Sequence, residues 1–505
     1  MNKTTPEQLN DILAAAASAA PAWAATSPAD RAAALVAVAD ALDAASADLI
    51  AIAQRETGLS EGRLTGELKR TTVQLRLFAD VIREGGYLDA RIDVADAEFV
   101  LGARPDLRRV LEPVGVCLNF SASNFPFAFS VAGGDSAAAL AAGCALVVKG
   151  HSGHPDLSVA TADVVAGALA TAGVPEGVFA LIQGQEAGTA ALKDDRVDVG
   201  TFTGSIRVGR LLADIAAARP RPIQFFGELG SVNPAVVTTG AFAERAETIA
   251  AEYVASVAGS AGQLCTKPGF LWIPAASTGA DVAAFEAAVV EAAAGVAEHR
   301  LLNPGIGRSY IERRDAVIAA AGVRVLVEGA VRTDDDGQVW ATPTIVSVSA
   351  DQLAPGEDEV LDEVFGPFSV LVEYTDAAEV PAAIDSLYEG NLTGTVQIAE
   401  GEETPELNAL VAVLSRKVGR VLFNGWPTGV AVSYAQQHGG PYPATTNDSS
   451  TSVGTAAISR FLRGVAYQNA PQAILPPALQ DANPWGVPQH RAPAGESASW
   501  GTRFI

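Results

Sequence analysis

The chain has 505 residues, 49% of them hydrophobic, and this length is too great for one compact core, so two or three domains are expected. Its formal net charge is −24, with 58 acidic and 34 basic residues, which argues against a nucleic acid partner because a polyanion would be repelled. Three cysteines without a paired spacing argue against a disulfide framework. No secretory signal and no apolar span of about 18 residues is found, which predicts a cytoplasmic protein that does not enter the membrane.

The N-terminal region, residues 6–85, is predicted to be helical. Residues 29–58 repeat apolar side chains at helical spacing, and Ser27 and Gly58 supply a cap and a stop. Residues 88–116 then mix β-branched and turn residues, which predicts a hairpin or an extended arm.

Strands and helices then alternate, which is typical of a parallel, doubly wound sheet. The predicted strands are 114–120, 144–150, 178–184 and 197–204, and the predicted helices are 130–143, 155–173, 186–195 and 205–218. A second α/β region follows over 230–440, with a helix expected at 244–259. The tail from residue 470 is expected to be an extended segment wrapped on a surface. Doubly wound sheets bind ligands beyond the carboxyl ends of their strands.

Three residues are candidates for covalent chemistry. Cys265 lies among small and turn-forming residues, and the nearby Lys267 would lower its pKa; a quiet buried thiol is the alternative. Glu228 follows an apolar run and is either a general base or a buried carboxylate capped by backbone donors. Asn124 precedes an expected helix start and either caps that helix or donates a hydrogen bond to an oxyanion.

A G-x-G-x-x-G fingerprint is missing, so a dinucleotide site must be sought at other strand ends. Lys149 ends a strand and either extends to solvent or binds ribose hydroxyls. Gly204 and Ser205 form a strand-to-helix corner that suits a pyrophosphate or is simply a tight turn. The histidine pair His151 and His154 has no Cys or carboxylate cluster beside it, and no metal site is predicted.

In combination, these segments resemble the aldehyde dehydrogenase superfamily over residues 6–470. The shared motifs, in chain order, are NFP (124–126), VVKGHSGHP (147–155), FTGS (202–205), GELGSVNP (227–234), GQLCTKPG (262–269) and DEVFGP (362–367). Segment 423–471 is similar to the branch that contains α-ketoglutaric semialdehyde (2,5-dioxovalerate) dehydrogenases and an NADP-dependent fatty aldehyde dehydrogenase.

The resemblance implies a role for each catalytic candidate. Cys265 would attack the aldehyde carbon, and the amide of Asn124 together with the backbone N–H of Cys265 would stabilise the oxyanion. Loss of hydride would leave a thioester on Cys265, and Glu228 would activate the water that hydrolyses it.

The resemblance also assigns the coenzyme contacts. Lys149 would bind the adenosine ribose, Gly204 and Ser205 would lie beside the pyrophosphate, and Glu363 and Phe365 would hold the nicotinamide ribose and ring. Ser152 stands where NAD-preferring members often carry a glutamate, which favours NADP as cofactor. NAD remains possible, because no arginine is found at residues 185–187 to bind a 2′-phosphate.

The implied fold is aldehyde dehydrogenase-like, with a doubly wound parallel-sheet coenzyme domain, an α/β catalytic domain and a β arm for oligomerisation. The expected bounds are 1–90 and 110–229 for the coenzyme domain, 230–445 for the catalytic domain, 91–109 and 446–470 for the oligomerisation arm and strand, and 471–505 for the tail. The arm would pair with the strand of a partner subunit in a homodimer or homotetramer.

The expected reaction is NAD(P)-dependent oxidation of a small-molecule aldehyde to its acid, with 2,5-dioxopentanoate as substrate and 2-oxoglutarate as product. A medium- or long-chain aldehyde dehydrogenase is the alternative, since residues 125–130 and 425–432 would line the tunnel without an arginine. Arg108, Arg109 and Arg463 are the candidates for a substrate carboxylate at its mouth. A CoA-acylating enzyme, a thiol esterase and a non-catalytic protein are the other rivals.

Overall fold

The computed structural model describes residues 3–355 and 359–502. Residues 1–2, which begin the expected coenzyme domain, residues 356–358 and the last three residues of the expected tail, 503–505, lie outside the described residues. In the described part, no helix is long and apolar enough to cross a membrane.

The helices follow the chain in this order: α1 (Pro6–Ala24), α2 (Pro28–Ala44), α3 (Ser46–Thr57), α4 (Glu61–Glu84), α5 (Asp135–Ala142), α6 (Pro155–Thr171), α7 (Gln185–Lys193), α8 (Ile206–Ala217), α9 (Thr239–Ala258), α10 (Val282–Ala294), α11 (Pro304–Ala319), α12 (Val380–Leu387) and α13 (Pro405–Lys417).

The strands are β1 (Ala90–Asp93), β2 (Leu107–Pro113), β3 (Val116–Phe120), β4 (Ala145–Lys149), β5 (Phe179–Ile182), β6 (Val199–Thr203), β7 (Gln224–Glu228), β8 (Pro234–Val237), β9 (Phe270–Pro274), β10 (His299–Arg300), β11 (Arg324–Val327), β12 (Val331–Thr333), β13 (Val339–Ala341), β14 (Thr344–Ser349), β15 (Phe368–Tyr374), β16 (Asn391–Gln397), β17 (Val418–Phe423), β18 (Leu462–Gln468) and β19 (Gln489–Ala492).

The first sheet has the order β5-β4-β3-β6-β7, and every neighbouring pair is parallel. Leu146 and Val148 of β4 pack in one apolar cluster with α2, α4 and α6, while Ala145 and Val147 pack in another with α1, α7 and α8. Because helices cover both faces, the prediction of a doubly wound parallel sheet is confirmed.

The helical predictions need three corrections. Residues 29–58 form two helices that meet at Ala45, with Ser27 capping the first and Gly58 ending the second in the left-handed region. The helix expected at 244–259 starts at Thr239 and has non-helical backbone angles at Arg245.

The helix expected at 130–143 is only α5. Gly134, with φ +52, precedes it, and a Cβ on Gly133 would lie 2.4 Å from the carbonyl oxygen of Ala128. The chain therefore folds back tightly on itself before the helix begins, which only glycine allows at this approach.

A second sheet of seven strands has the order β11-β14-β15-β9-β8-β16-β17, and only the edge pair β11–β14 is antiparallel. Gly269, just before β9, donates a backbone hydrogen bond to Val232, between β7 and β8. This bond holds the start of β9 against the segment that follows β7.

The third sheet, with the order β18-β2-β1-β19, forms the arm. Within the chain β18 pairs with β2, from Leu462 opposite Pro113 to Gln468 opposite Leu107, and the expected pairing of the arm with a partner's strand stays a prediction. Val114 donates a hydrogen bond to the carbonyl of Phe461, so the two segments already lie together where the arm leaves the first sheet. This ladder needs no partner subunit.

The tail is not only an extended segment on the surface, because it contributes a strand and buried side chains to the arm. Strand β19 adds to the arm in parallel with β1, and Leu475, Leu479 and Val487 are buried against Ile92 and Val110. The arm therefore has a small apolar core of its own, completed by the end of the chain.

Candidate active site

The predicted catalytic residues lie together at the junction between the first sheet, which ends with β7, and the second sheet, which contains β9. Glu228 is the last residue of β7, and its neighbour Gly227 donates a hydrogen bond to the hydroxyl of Thr446 at 2.7 Å. Cys265 lies in the turn between α9 and β9, where its carbonyl accepts a hydrogen bond of 2.7 Å from the side chain of Asn233.

The turn around Cys265 has an unusual backbone. Ser260 and Ala261 have φ values of 52° and 54°, and Gly262 follows at 64°. A Cβ on Gly262 would lie 2.1 Å from the carbonyl oxygen of Gly366. The small residues noted in the sequence therefore allow a tight left-handed turn that places the thiol at the junction.

Cys265, Glu228 and His438 form a compact group. The sulfur lies 3.7 Å from Oε1 of Glu228 and 3.7 Å from Nε2 of His438, and those two atoms are 2.8 Å apart. The hydroxyl of Ser452 donates a short hydrogen bond to Oε2 of Glu228. Glu228, His438 and Ser452 are almost completely buried, whereas Cys265 is partly exposed.

The hydrogen bonds fix the roles of this group. An ionised carboxylate only accepts, so Nε2 of His438 carries the proton that points to Glu228. Nδ1 of His438 is buried without a partner in the described chain. Because Nε2 donates, it is not free to accept the thiol proton, and the nearest acceptor for the proton of Cys265 is Glu228.

Charge and burial set the protonation of both groups. Burial alone would raise the pKa of Glu228, but the charge and hydrogen bond of His438 and the hydroxyl of Ser452 lower that pKa below its ordinary value. Burial, followed by the charges of Glu228 and Glu363, raises the pKa of the Cys265 thiol well above its ordinary value. The resting group is therefore a thiol beside a carboxylate.

The expectation that Lys267 activates the thiol is wrong. Its ammonium is buried and donates to the carbonyl of Phe368 at 2.5 Å. Burial lowers the pKa of Lys267 to about 8 and raises the pKa of Glu363 to about 7, and the two charges oppose these shifts by attracting each other. Lys267 thus faces Glu363, and its charge is not among the effects that set the pKa of Cys265.

Asn124 caps no helix, because α5 begins at Asp135. Its amide instead donates to the carbonyl of Gln263 at 3.0 Å, which holds the side chain beside the Cys265 turn. Glu67 of α4, which no sequence signal identified, accepts hydrogen bonds of 2.8 Å from the backbone of Phe127 and Ala128. This carboxylate organises the loop that carries Asn124.

A cavity of about 430 Å³ opens beside Cys265. Seven of the nine predicted site residues line it, namely Asn124, Ser152, Gly204, Ser205, Cys265, Glu363 and Phe365. Lys149 and Glu228 do not line it. A larger hollow of about 700 Å³ lies between α9 and α10, and none of the predicted site residues lines that one.

The cavity, together with Lys149 outside its lining, offers groups that a dinucleotide needs. The ammonium of Lys149 ends β4, and no hydrogen bond or ion pair to it is formed within residues 3–355 and 359–502. Burial lowers the pKa of Lys149. Ser205 caps the twelve-residue helix α8, whose N-terminus faces the cavity, and a Cβ on Gly204 would lie 2.5 Å from the ring of Phe202. These residues fit a pyrophosphate and its riboses.

The apolar segments expected to line a tunnel do meet on the other side of Cys265. Phe125, Phe129, Val430, Val432 and Val453 belong to one apolar cluster. The ring of Phe129 lies 6.3 Å from that of His438, so this cluster borders the group around Cys265.

The arginines expected at the tunnel mouth are elsewhere. Arg108 is paired with Asp106 and Asp481, and Arg109 is paired with Asp89, all within the arm and tail. Arg463 lies on β18 opposite Glu112. None of the three borders the apolar cluster, because the arm sheet holds them.

Sequence reasoning missed two members of the site, His438 and Ser452. Both come from the long segment between β17 and β18, which has no apolar period and few regular elements. The backbone N–H of Ser452 donates to the carbonyl of His438 at 2.8 Å, which brings the two side chains to Glu228 together. The grouping of Cys265, Glu228 and His438 also offers three types of metal ligand, so the expectation of no metal stays a prediction.

Comparisons with known proteins agree with this geometry. Residues 1–459 match the profile described as "Aldehyde dehydrogenase family". The chain is 42% identical over 433 residues to the "Alpha-ketoglutaric semialdehyde dehydrogenase" of Acinetobacter baylyi, covering 86% of this chain and 81% of that protein. It is also 42% identical over 464 residues to "Alpha-ketoglutaric semialdehyde dehydrogenase 2" of Azospirillum brasilense, covering 91% of this chain and 86% of that one.

The fold is shared with solved structures. The crystal structure of methylmalonate-semialdehyde dehydrogenase from Oceanimonas doudoroffii matches with a TM-score of 0.77 at 19% identity, covering 93% of this chain and 92% of that one. With a thiol, a carboxylate and a dinucleotide-sized cavity at one junction, and with a family profile over most of its length, the chain belongs to the aldehyde dehydrogenase family and is an NAD(P)-dependent aldehyde dehydrogenase.

Proposed function

We propose that the protein oxidises 2,5-dioxopentanoate to 2-oxoglutarate, with NADP⁺ preferred over NAD⁺. The observation that carries the reaction type is the carboxylate of Glu228 at 3.7 Å from the thiol of Cys265, beside a cavity that suits a dinucleotide. The names of the two relatives with 42% identity support the choice of substrate.

The first step is attack of Cys265 on the aldehyde carbon. As the carbon–sulfur bond forms, the thiol proton passes to Glu228, its nearest acceptor, and the carbonyl oxygen becomes an oxyanion. One N–H of the Asn124 amide is bonded to the carbonyl of Gln263, which leaves the second to stabilise the oxyanion together with the backbone N–H of Cys265. Loss of one such donor typically costs about 3–4 kcal/mol of the barrier reduction.

When bound, the nicotinamide coenzyme supplies the hydride acceptor that converts the thiohemiacetal to a thioester. Once the proton that it took from the thiol has passed to solvent, Glu228 removes a proton from the water that attacks this thioester. It returns that proton to the sulfur as the acid leaves, which restores the Cys265 thiol. Buried hydrogen bonds from His438 and Ser452 keep this carboxylate ionised and fixed in place.

The coenzyme contacts follow the lining of the cavity, except for Lys149, which lies outside it. We assign Lys149 to the adenosine ribose, Gly204 and Ser205 to the pyrophosphate, and Glu363 and Phe365 to the nicotinamide ribose and ring. These assignments rest on the unpartnered ammonium, the helix N-terminus and the partly buried carboxylate.

Two features support NADP⁺. Ser152 is exposed at the cavity and adds no negative charge that would repel a 2′-phosphate. The side chain of Lys3 lies against Gly184, just before α7, so a basic residue from the N-terminal segment reaches the start of this helix, where residues 185–187 offer none.

A fatty aldehyde is the second candidate substrate. The apolar cluster of Phe125, Phe129, Val430, Val432 and Val453 favours it, because an alkyl chain would pack there. A CoA-acylating or esterase reaction is less well supported, since Glu228 is in place to activate water.

Assembly as a homodimer or homotetramer is part of the proposal. Strand β18 is an edge of the arm sheet, and the loop between β1 and β2 exposes Val100 and Leu101 at 58% and 87%. An unpaired strand edge and exposed apolar side chains on the same arm favour pairing with another copy. Light scattering coupled to gel filtration would measure the mass of the assembly, and a monomer would refute this part.

The substrate and coenzyme are tested by initial rates of NADPH or NADH formation with 2,5-dioxopentanoate, pentanal, hexanal and decanal. We expect the highest kcat/KM for 2,5-dioxopentanoate with NADP⁺. A higher kcat/KM for decanal would favour the fatty aldehyde, and a clear preference for NAD⁺ would refute the coenzyme assignment. Adding CoA should give no acyl-CoA.

A further inference from the structure

Helix α4 carries an arginine whose charge has no hydrogen-bonded or ion-paired partner among the described residues. Both terminal nitrogens of the Arg70 guanidinium are shielded from solvent and form no hydrogen bond within residues 3–355 and 359–502. Among the described arginines, no other has both terminal nitrogens in this condition. Buried charges are normally paired, because an isolated ion in the interior has lost its hydration without compensation.

The two carboxylates whose charges act on Arg70 already accept hydrogen bonds from other groups. The charges of Glu67 and Glu228 both act on Arg70, against the burial that lowers the pKa of its guanidinium. However, Glu67 accepts hydrogen bonds from Arg63, Phe127 and Ala128. Glu228 accepts from His438 and Ser452. Neither carboxylate is therefore the partner of Arg70.

The position of Arg70 points to the substrate. Its guanidinium carbon lies 5.1 Å from the centre of the Phe129 ring, on which it can stack. The Phe129 ring lies 6.3 Å from that of His438, whose Nε2 is 3.7 Å from the sulfur of Cys265. Two side chains thus separate Arg70 from the thiol, and neither Arg70 nor Phe129 lines the coenzyme cavity.

The chemistry of the group defines its ligand. A guanidinium stacked on a ring keeps its N–H groups in its own plane, where they match the two oxygens of a carboxylate. We propose that Arg70 binds the carboxylate end of the substrate, with its 2-oxo group alongside, while the aldehyde end meets Cys265. Arg70 is then the residue that selects a carboxylated aldehyde beside the apolar cluster of Phe125, Phe129, Val430, Val432 and Val453.

This inference rests on the proposed function, and it names the residue that distinguishes the semialdehyde from a fatty aldehyde. The substrate carboxylate would be the counter-ion of the Arg70 guanidinium, for which the described residues supply none. An alkyl aldehyde would leave the guanidinium unpaired, so the structure favours the carboxylated substrate over an alkyl chain of the same length.

The test compares Arg70→Met with the wild type on 2,5-dioxopentanoate, 5-oxopentanoate and pentanal, all with saturating NADP⁺. Loss of one partner of a buried charge pair should lower kcat/KM for 2,5-dioxopentanoate at least about 30-fold. The value for pentanal, which has no carboxylate, should stay within about threefold, and this also shows that the variant is folded. Arg70→Lys, which keeps the charge and loses the planar fork, should fall between the two.

Arg76→Met is the matched control. Arg76 lies on the same helix but pairs with Asp40 and Asp43 at 2.6 and 2.8 Å, away from the site, so its loss should leave all three substrates unaffected. Equal losses on pentanal and 2,5-dioxopentanoate in both Arg70 variants, or no loss on either, would overturn the inference. If Arg70→Met does not fold, Arg70→Lys carries the same comparison.

The proposed substrate can fail separately. A wild type that prefers pentanal to 2,5-dioxopentanoate refutes the proposed function. In that case the role of Arg70 is judged on 5-oxopentanoate, where a selective loss in the variants supports it and equal losses reject it.

Discussion

On one side of Cys265, the carboxylate of Glu228 accepts hydrogen bonds from His438 and Ser452, and all three side chains are buried. On the other side, the ammonium of Lys149 has no partner in the described chain, and Ser152 is exposed at the cavity. In the proposed mechanism the first side is the catalytic one, and the chain itself completes its hydrogen bonds, whereas the second is the coenzyme side, where the described residues leave the ammonium without a partner. Changes on the first side should therefore impair chemistry, and changes on the second should alter the choice of coenzyme.

The largest effect is expected for Cys265→Ala. Without the sulfur no thiohemiacetal or thioester forms, and we expect kcat for aldehyde oxidation to fall by more than about 10⁴-fold, as for other nucleophile deletions. Coenzyme binding, followed by nucleotide fluorescence titration, should stay within a few fold of the wild type. Full NADPH formation by this variant would exclude Cys265 as the nucleophile.

For Glu228→Gln we expect a smaller loss of kcat together with faster alkylation of Cys265. Removing the general base should lower steady-state kcat by about 10²–10⁴-fold. The same change removes a negative charge that raises the pKa of the Cys265 thiol, so that pKa should fall and alkylation by iodoacetamide at pH 8 should become faster.

The NADPH burst and the alkylation rate are both needed to tell whether Glu228 acts as a general base or only supports the structure of the site. A burst of NADPH near one equivalent, followed by slow turnover, would show that the thioester accumulates in Glu228→Gln. Slower alkylation together with loss of the burst would show that the variant fails at removal of the thiol proton, and would exclude activation of water as the main role of Glu228.

His438→Leu should show whether the missed histidine acts through Glu228. Its loss removes the hydrogen bond and charge that lower the pKa of Glu228, so that pKa should rise. The acidic limb of the kcat profile should then move to higher pH, and kcat at neutral pH should fall roughly 10–100-fold. His438→Gln, which retains an N–H donor, should recover part of the activity. An unshifted limb with an equal loss in both variants would leave His438 with a packing role only.

Most strands of the first sheet, Cys265 and Glu228 could be predicted from the sequence, whereas His438 could not. Four of the five strands of the first sheet were predicted, and their parallel direction followed from apolar runs that alternate with helical segments, whereas β7 was not predicted as a strand. Glu228 and Cys265 could be placed because each lies in a short motif, Glu228 at the end of β7 and Cys265 in the turn before β9. Predicting His438 required knowing that an irregular segment, far along the chain, returns to Glu228, and no local pattern carries that information.

The sequence misled where spacing was taken for contact. Lys267 is two residues from Cys265, yet its ammonium turns towards Glu363 and Phe368. Arg70 was not singled out in the sequence, because its guanidinium meets the ring of Phe129 only once the chain is folded. Side-chain direction at the site is set by tertiary packing, which one sequence does not record.

The smallest effect is expected for Ser152→Glu, on the open side. A carboxylate at this cavity position would repel the 2′-phosphate of NADP⁺ and could accept a hydrogen bond from the 2′-hydroxyl of NAD⁺. We expect the ratio of kcat/KM for NADP⁺ to that for NAD⁺ to fall about tenfold, with the change mainly in the coenzyme KM. Ser459→Glu, which adds the same charge at an exposed position away from the cavity, is the control. If kcat fell equally with both coenzymes, the added charge would be acting on the catalytic side, and the separation between the two sides of Cys265 would not hold.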